Sequence, residues 1–332
     1  MRLGRLVLVS VVLLPTCRSA DSTPDSMLVI AVGQPGSVLN ALGTGIAKLV
    51  TERTNTEARV RVTSGMDALV GAGDAEIGVS ASDSAHLSSR GLRHYEGQPQ
   101  KKLRLLLPGP PLLLGFVVRR DSAYRTLGDL KGARVPGEYP NARPMYHDGV
   151  AMLGTVGLSW EDLDVLPVAS FRDGIQALIE GRADAAIGSV GSGLVQQADA
   201  SLDGVRFLSL PGGQEISEGM WDAEPGFHAV PVPSGFSLGV EEDMWLAGKE
   251  AYVTVNADVS GDLAYRLVRL LWDNMESLRD VHPFFERWTH EHMVNAKVTI
   301  PFHDGTIRFL KEIGEWTPEH EAAHHALSDQ LK

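Results

Sequence analysis

The sequence predicts an α/β protein built of two lobes, and three observations support that prediction. Short apolar segments typical of strands alternate with segments whose apolar residues recur at the helical period. This alternation occurs twice, first over residues 28–83 and again over residues 127–210. A further strand at 249–255 predicts that the chain returns to the first lobe, so that it crosses between the lobes twice. Two such crossings would form a hinge beneath a cleft.

The first strand is predicted at 28–32, and a turn of small residues at 33–37 connects it to a helix. The helix prediction rests on apolar residues that share one face, namely Val38, Leu42, Ile46, Leu49 and Val50. Such a turn can bind a carboxylate or phosphate, because glycine lets backbone N–H groups approach a ligand and the helix N-terminus carries partial positive charge. An ordinary turn without a ligand would have the same residues.

Two further strands, at 59–63 and 76–80, complete a βαβαβ unit. Ligand sites in such units lie at the carboxyl ends of the strands, which here are 33–37, 63–65 and 80–83. Glycine or small hydroxyl residues occur at all three ends. They supply the candidate ligand-binding residues of the first lobe, which are Gly36, Ser37, Asn40, Thr63, Ser64, Ser82 and Asp83. Asp83 could equally cap a helix.

A second α/β unit follows two strands predicted at 103–107 and 112–119, which a Pro-Gly-Pro-Pro segment separates. Its turns at 138–143 and 188–193 supply the candidate residues of the second lobe, which are Tyr139, Asn141, Arg143 and Ser189. The Arg143 guanidinium could hold a carboxylate through two parallel hydrogen bonds. A solvated surface arginine is the alternative for this residue.

The rest of the chain has weaker patterns. Residues 211–243 are rich in Gly, Pro and Glu, which predicts a surface segment with a few strands at most. The C-terminal third, which includes a helix capped by Ser260, is predicted to be helical as far as residue 328. The two crossings divide the chain into lobe 1, at 28–118 and 249–332, and lobe 2, at 119–248.

Composition limits the class of partner. The chain has 332 residues, of which 43% are apolar, so that it is long enough for two domains of ordinary size. Its net charge of −12 disfavours a nucleic-acid partner, because such proteins normally present a basic patch. A local site can still be positive and bind an anion. No Walker-type phosphate loop occurs, and we expect no cofactor.

The first 17 residues resemble an export signal, with two arginines before an apolar run at 6–14 that is too short to span a bilayer. The segment Leu14-Pro15-Thr16-Cys17 is similar to a bacterial lipobox, so we expect Cys17 to be lipidated. Simple cleavage nearby is the alternative. Residues 18–27 are predicted to form a flexible tether. Because Cys17 is the only cysteine, the mature domain should contain no disulfide and no thiol nucleophile.

Several motifs together resemble one known family over about residues 28–316. They are the first turn and helix at 33–50, the turn at 63–65, the Ser82-Asp83 pair, and the phrases TLGDLKGARV at 126–135, ALIEGRADAA at 177–186 and IPFHDGTIRF at 300–309. The last is the most specific, because it contains a Pro-x-His-x-Gly signature. These motifs resemble the TAXI-type solute receptors of tripartite ATP-independent periplasmic (TRAP) transporters.

The resemblance implies a two-lobed periplasmic-binding-protein fold of the Venus flytrap, type II-like kind. It implies a receptor that captures a small organic acid, such as glutamate or another dicarboxylate, and presents it to TRAP integral membrane subunits. The family usually has a Gly-Ser-Gly-Thr turn where this chain has residues 139–143, so Arg143 would replace backbone amides with its side chain. We expect a monomer on the extracytoplasmic face, anchored through Cys17, with no catalytic residue.

Two other classes of function compete with this interpretation. Residues 320–324 form a literal H-E-x-x-H motif, in which His320 and His324 could bind zinc while Glu321 acts as the base of a hydrolase. Only eight residues follow His324, however, so the third ligand of the common zinc-protease classes is missing. A polar terminal helix is the simpler account. The second alternative is a binding module that serves a sensor or an ATP-driven (ABC) importer.

Overall fold

The computed structural model describes residues 27–279, 281 and 283–332. The predicted export signal at 1–17, its Cys17 and most of the predicted tether lie outside the described residues. Met27, predicted as the last tether residue, instead begins the first strand.

The described residues form ten strands, twelve α-helices and four short 3-10 helices. The strands are β1 (Met27–Val32), β2 (Glu57–Val62), β3 (Ile77–Ala81), β4 (Leu103–Arg119), β5 (Arg134–Glu138), β6 (Asp164–Val168), β7 (Ala185–Ser189), β8 (Val205–Phe207), β9 (His228–Val232) and β10 (Met244–Asn256). The helices are α1 (Val38–Arg53), α2 (Met66–Ala72), α3 (Ser82–Arg90), α4 (Pro144–Gly154), α5 (Phe171–Ile179), α6 (Gly193–Leu202), α7 (Gln214–Ala223), α8 (Gly261–Asp273), α9 (Met275–Arg279), α10 (His290–Met293), α11 (Asp304–Glu312) and α12 (Pro318–Asp329). The 3-10 helices are Arg93–Tyr95, Leu127–Leu130, Trp160–Asp162 and Pro283–Arg287.

The half of the molecule around β1–β3 is called lobe 1 below. Strand β1 pairs in parallel with β2 on one side and β3 on the other, which confirms the predicted βαβαβ unit. Helix α1 begins after Ser37, whose hydroxyl accepts a hydrogen bond from the Asn40 N–H. The predicted apolar face of α1 is buried against this sheet in one core with residues of β10 and α8.

The half around β5–β9 is called lobe 2. Strands β5 and β6 pair in parallel as a small separate sheet, whereas β7 and β8 pair antiparallel with β4, and β9 pairs with β10. Two apolar clusters form the core of this lobe, one on each side of the sheet, with Phe116 in one and Val117 in the other. Successive residues of a strand point to opposite faces, which accounts for this division.

The two lobes share the antiparallel strands β4 and β10, which pair from Leu114 and Ala247 at one end to Leu103 and Asn256 at the other. The lobe 1 half of β10 also pairs with β3, while its lobe 2 half pairs with β9. The register between β4 and β10 shifts at Glu250–Tyr252, opposite the Pro-Gly-Pro-Pro segment of β4. One curled eight-stranded sheet therefore runs through both lobes, and the fold is α/β and two-lobed, as predicted.

Several element predictions were wrong. The strands predicted at 103–107 and 112–119 are one continuous strand, because Pro108 and Pro111 keep their places opposite β10. Helices α3, α6 and α7 were not predicted. Helix α3 has the sequence SDSAHLSSR, in which most of the buried residues are polar and only Ala85 and Leu87 are apolar, so it has no apolar stripe. The helical prediction for the C-terminal third is interrupted over residues 294–303, which form neither helix nor strand.

The division of the chain into lobes at 118/119 and 248/249 stays a prediction. Strand β4 ends at Arg119, and β10 continues through 248/249, so neither position marks a break in the sheet.

The close contact between α1 and β1 generates a prediction about stability. A Cβ added to Gly43 would lie 2.2 Å from Val32 Cγ1 and 3.3 Å from Val79 Cγ2. Overpacking of this kind costs about 1–3 kcal/mol, which exceeds the helix propensity of about 1 kcal/mol gained by replacing glycine with alanine. Gly43→Ala should therefore lower the free energy of unfolding measured by chemical denaturation.

Gly219→Ala in α7 is the matched control, because a Cβ at Gly219 meets no described atom within 4 Å. This variant should gain up to about 1 kcal/mol of stability. Equal effects of the two substitutions would contradict the packing described for α1.

Candidate functional site

A cavity of about 180 Å³ lies between the lobes. It is called the interlobe cavity below. Lobe 1 contributes the turn after β1, the turn after β2, and the start of α3. Lobe 2 contributes the turn after β5, the start of α4 and the end of β7. Its wall is largely apolar and includes Val38, Leu39, Met66, Leu112, Leu114, Pro144, Met145 and Phe171.

Five of the predicted ligand-binding residues meet in this wall. They are Ser37, Thr63 and Ser64 from lobe 1, and Asn141 and Ser189 from lobe 2. Each lies at or just beyond the end of a strand or at the start of a helix, which is why turns distant in sequence converge here. The cavity therefore combines an apolar wall with hydroxyl and amide groups from both lobes.

Four other predicted residues lie near the cavity but outside its wall. Gly36 has a φ of 89° and packs against Leu194 of lobe 2. The Asn40 side-chain amide donates a hydrogen bond to the Gly33 carbonyl, 2.9 Å away. Ser82 lines a different cavity, and its hydroxyl oxygen accepts a hydrogen bond from the Glu250 N–H. The Asp83 carboxylate lies behind the wall, where it contacts a lysine described below.

The two remaining residues of the predicted site do not reach the interlobe cavity. Tyr139 is completely buried in the core of lobe 2, and burial raises the pKa of its hydroxyl. Arg143 is exposed and lines a separate cavity of about 470 Å³ together with Arg93, His94 and His147. The exposed position of Arg143 agrees with the alternative considered for it from the sequence.

The interlobe cavity has a buried ionic cluster at its base. Lys249 Nζ lies 3.1 Å from Asp83 Oδ2 and 2.7 Å from Asp148 Oδ1, and all three residues are at most 4% exposed. Asp83 belongs to lobe 1, Asp148 to lobe 2, and Lys249 to the shared strand β10. Both Lys249 and Asp148 line the cavity. The cluster therefore joins the lobes at the point where a ligand would sit.

Two carboxylates share the single ammonium group of Lys249, and this imbalance affects their protonation. Burial raises the pKa of Asp148 to about 7, and attraction to Lys249 only partly opposes that rise. Burial alone would lower the pKa of Lys249, but Asp148 and Asp83 outweigh burial and raise it. Lys249 thus remains charged, while Asp148 can take up a proton near neutral pH.

A further buried carboxyl supports the lobe 1 side of the cavity. The Ser84 hydroxyl, which lines the cavity, donates a hydrogen bond to Asp67 Oδ2 at 2.8 Å. Burial raises the pKa of Asp67 to about 6, against the opposing effect of the nearby Ser84 and Ser80 hydroxyls. The side chain of Ser84 is therefore held in place by a group that changes charge at mildly acidic pH.

The lobes also contact each other beside the interlobe cavity. Arg172 Nη2 of lobe 2 donates a hydrogen bond to the Pro35 carbonyl of lobe 1, 3.0 Å away. At another place the Arg93 guanidinium of lobe 1 contacts both carboxylate oxygens of Glu224, which is buried in lobe 2. These polar contacts, together with the Lys249 cluster, hold the lobes in contact around the cavity.

The H-E-x-x-H segment lies in α12, where its groups have structural partners. His320 is buried, with Nδ1 against the Thr317 hydroxyl and Nε2 2.8 Å from the Val294 carbonyl. The Glu321 carboxylate accepts a hydrogen bond from Trp316 Nε1. The part of the chain that the structure describes contains no group of three or more residues suited to hold a metal ion. His320 therefore stabilises the start of α12, and the zinc-hydrolase alternative has no support in its geometry.

Asp148 and Lys249 were missed as site residues in the sequence. Lys249 interrupts the otherwise apolar strand β10 together with Glu250, and charged residues are rarely buried in such strands unless they are paired. That pattern was a usable signal for Lys249. Asp148 gave no comparable signal, because only the packing of α4 shows that its side chain faces inward.

The ionic cluster generates a prediction about stability. Lys249→Met should destabilise the protein by about 3–5 kcal/mol at pH 8, because it leaves two buried carboxylates without a cation. The loss should be smaller at pH 5, where Asp148 holds a proton. Chemical denaturation at the two pH values measures both quantities.

The control is Lys102→Met, since Lys102 pairs with Asp258 on the surface, where both side chains are more than half exposed. Its effect should stay below about 1 kcal/mol at either pH. A loss for Lys249→Met no larger than that of the control would contradict the role assigned to the cluster.

Comparisons with known proteins agree with this architecture. The fold is similar to that of a periplasmic transporter structure, with 12% sequence identity and a TM-score of 0.58 over 93% of this chain and 99% of that one. It is also similar to a TctC solute-binding protein from Polaromonas, with 12% identity and a TM-score of 0.50 over 93% of this chain and 98% of that one. At this level of identity, both likenesses concern the fold.

The described residues include no helix long and apolar enough to cross a membrane.

The NMT1-like family matches residues 30–314, which is most of the chain. The two structural neighbours are described as a periplasmic transporter and a solute-binding protein. The chain therefore belongs to the NMT1-like family.

Proposed function

We propose that this protein is an extracytoplasmic receptor that captures a small organic acid in the interlobe cavity and delivers it to the membrane subunits of a transporter. One observation carries the proposal: a cavity lined by both lobes has a buried lysine in its wall. A ligand that touches both lobes favours their contact by its differential affinity for the closed and open arrangements.

The wall contains a cation that an acid can pair with, although Asp148 in the same wall shares it. Lys249 is the cation among the described residues that line the cavity, and its ammonium group can pair with a ligand carboxylate. Thr63 and Ser64 offer hydroxyl donors and Asn141 offers an amide, whereas Ser37 donates its hydroxyl proton to the Gln34 carbonyl. A second carboxylate, as in glutamate, would rely on these neutral donors. This assigns to Lys249 the role that sequence reasoning assigned to Arg143.

The size and polarity of the cavity limit the ligand further. Pockets for drug-sized ligands measure about 300–1,000 Å³, so a cavity of about 180 Å³ suits a smaller metabolite. Its largely apolar wall would contact the carbon chain of the acid, whereas a sugar would leave hydroxyl groups without partners.

We further propose that the receptor works with TRAP integral membrane subunits and is anchored outside the cytoplasmic membrane through Cys17. The resemblance to TAXI-type receptors supports the first part. The lipobox-like segment before Cys17 supports the second.

A thermal-shift screen against small organic acids tests the proposal. A ligand at one hundred times its dissociation constant should add about 2.7 kcal/mol of stability. Asn141→Ala removes a donor from the cavity wall and should reduce the shift. Arg143→Ala changes an exposed residue two positions away, outside this cavity, and should leave the shift intact.

The opposite pattern, with the shift lost in Arg143→Ala and kept in Asn141→Ala, would place the acid in the separate cavity that Arg143 lines. No shift with any organic acid would remove the proposed ligand class.

Binding of the acid should depend on pH. The charged or titratable groups near Asp148 are Lys249 and Asp83, with Glu224 and Tyr139 at the lobe 2 side. Because burial raises the pKa of Asp148 to about 7, this group is protonated at pH 6 and leaves Lys249 available to the ligand. Above pH 7 the Asp148 carboxylate competes for Lys249, and affinity should fall by up to about tenfold per pH unit.

Isothermal titration calorimetry between pH 6 and pH 8 measures this dependence. Asp148→Asn cannot ionise, so its affinity should stay nearly constant over the same range. An equal pH dependence in this variant and in the unmodified protein would exclude Asp148 as its source.

A further inference from the structure

A second cavity, of about 280 Å³, lies on the opposite face of β10. It is called the hinge cavity below. Successive residues of a strand point to opposite faces, and Lys249 lines the interlobe cavity while Glu250 and Tyr252 line the hinge cavity. The two adjacent charged residues of β10 therefore face two different cavities.

Both lobes contribute to the hinge cavity. Lobe 2 provides Trp221 from α7 and His228 from β9, whereas lobe 1 provides Asn295 and Lys297 from the segment before α11. The cavity lies where β4 and β10 change register, beside the crossing between the lobes. An occupant would contact both halves of the molecule close to this crossing.

One carboxylate oxygen of Glu250 has no hydrogen-bond partner among the described residues. Its Oε2 atom is buried and accepts no hydrogen bond from any residue that the structure describes. Burial raises its pKa to about 7. A buried carboxylate without a donor is costly, so a polar cavity beside it indicates a place for a ligand that supplies the missing donor.

The cavity also contains a cation that is not paired with Glu250. Lys297 Nζ lies 4.2 Å from the centre of the Trp221 ring, in a cation–π contact. No ion pair between Lys297 and a carboxylate is described. The wall therefore presents one negative and one positive group, and neither forms an ion pair among the described residues. An ordinary cation would be repelled by Lys297, and an ordinary anion by Glu250.

We propose that the hinge cavity binds a small zwitterionic solute, a free amino acid, whose ammonium group pairs with Glu250 and whose carboxylate pairs with Lys297. The pairing supplies N–H donors to the unpartnered carboxylate and an acceptor to the lysine. This site is separate from the interlobe cavity and does not depend on the identity of its ligand. Because its wall comes from both lobes, an amino acid bound here would stabilise their contact from the side opposite the interlobe cavity.

Thermal-shift measurements at pH 8 with the twenty free amino acids test the proposal, since Glu250 is ionised at that pH. We expect at least one amino acid to raise the melting temperature of the unmodified protein. Glu250→Gln should abolish that shift, and Lys297→Met should weaken binding at least tenfold. Asn141→Ala, which changes the interlobe cavity, should keep the shift.

The variants also control for folding. Glu250→Gln removes a half-buried charge and nearly keeps the shape of the side chain, so the unliganded variant should melt no lower than the unmodified protein at pH 8. Should it fail to fold, the exposed Lys297 provides the deciding variant. Binding should also change the tryptophan fluorescence of the protein, and Trp221→Phe should remove that change.

Three results would overturn the proposal. The first is the absence of a shift with any amino acid. The second is a shift kept in Lys297→Met. The third is a shift kept in Glu250→Gln but lost in Asn141→Ala, which would assign the amino acid to the interlobe cavity. The organic-acid proposal is tested with acids that have no amino group, so its failure can be distinguished from the failure of this one.

Discussion

The contact on which the two-lobed arrangement most depends is the pair of hydrogen-bonded ion pairs made by Lys249. This lysine belongs to a strand shared by the lobes, and each lobe contributes one carboxylate to it. Transfer of three charges from water to the interior is unfavourable unless they remain paired with good geometry. Separation of the lobes would move Asp83 and Asp148 apart and leave Lys249 with fewer partners. The cluster thus links the electrostatics of the ligand cavity to the contact between the lobes.

The central strands of the sheet could be predicted from the sequence, because their signals are local. A buried strand followed by a turn and an amphipathic helix is recognisable from residues next to one another, as for β1 and α1. The return of the chain was also predicted, from the strand at 249–255 and the helices after it, and β10 does pair with β3. Helix α3 could not be predicted in the same way. It buries serines and Asp83 together with only two apolar residues, Ala85 and Leu87, too few to give a helical apolar pattern.

The candidate site was predictable only in part, for a related reason. Turns at the ends of strands converge in any fold of this class, and Ser37, Thr63 and Ser64 line the cavity accordingly. The direction of a side chain within a turn is a different matter. Tyr139 and Arg143 lie in one turn, yet one is in the core and the other in solvent, because the backbone is in the left-handed region at Glu138 and Tyr139. Glycine is the residue that normally adopts this conformation, so Glu138 and Tyr139 gave no sign of it in the sequence.

The adjacent residues Lys249 and Glu250 show how one strand can connect two sites. Their side chains point to opposite faces of β10; Lys249 is buried and Glu250 half-buried, and the neutralisation of either charge requires a group from outside the strand. For Lys249 that group is a pair of aspartates, one from each lobe. For Glu250 the described residues supply none, although Lys297 lies in the same cavity wall. A shift of β10 that changes one environment must change the other, since the two residues share a peptide bond. Occupancy of either cavity is therefore expected to alter the position of the strand that both lobes share.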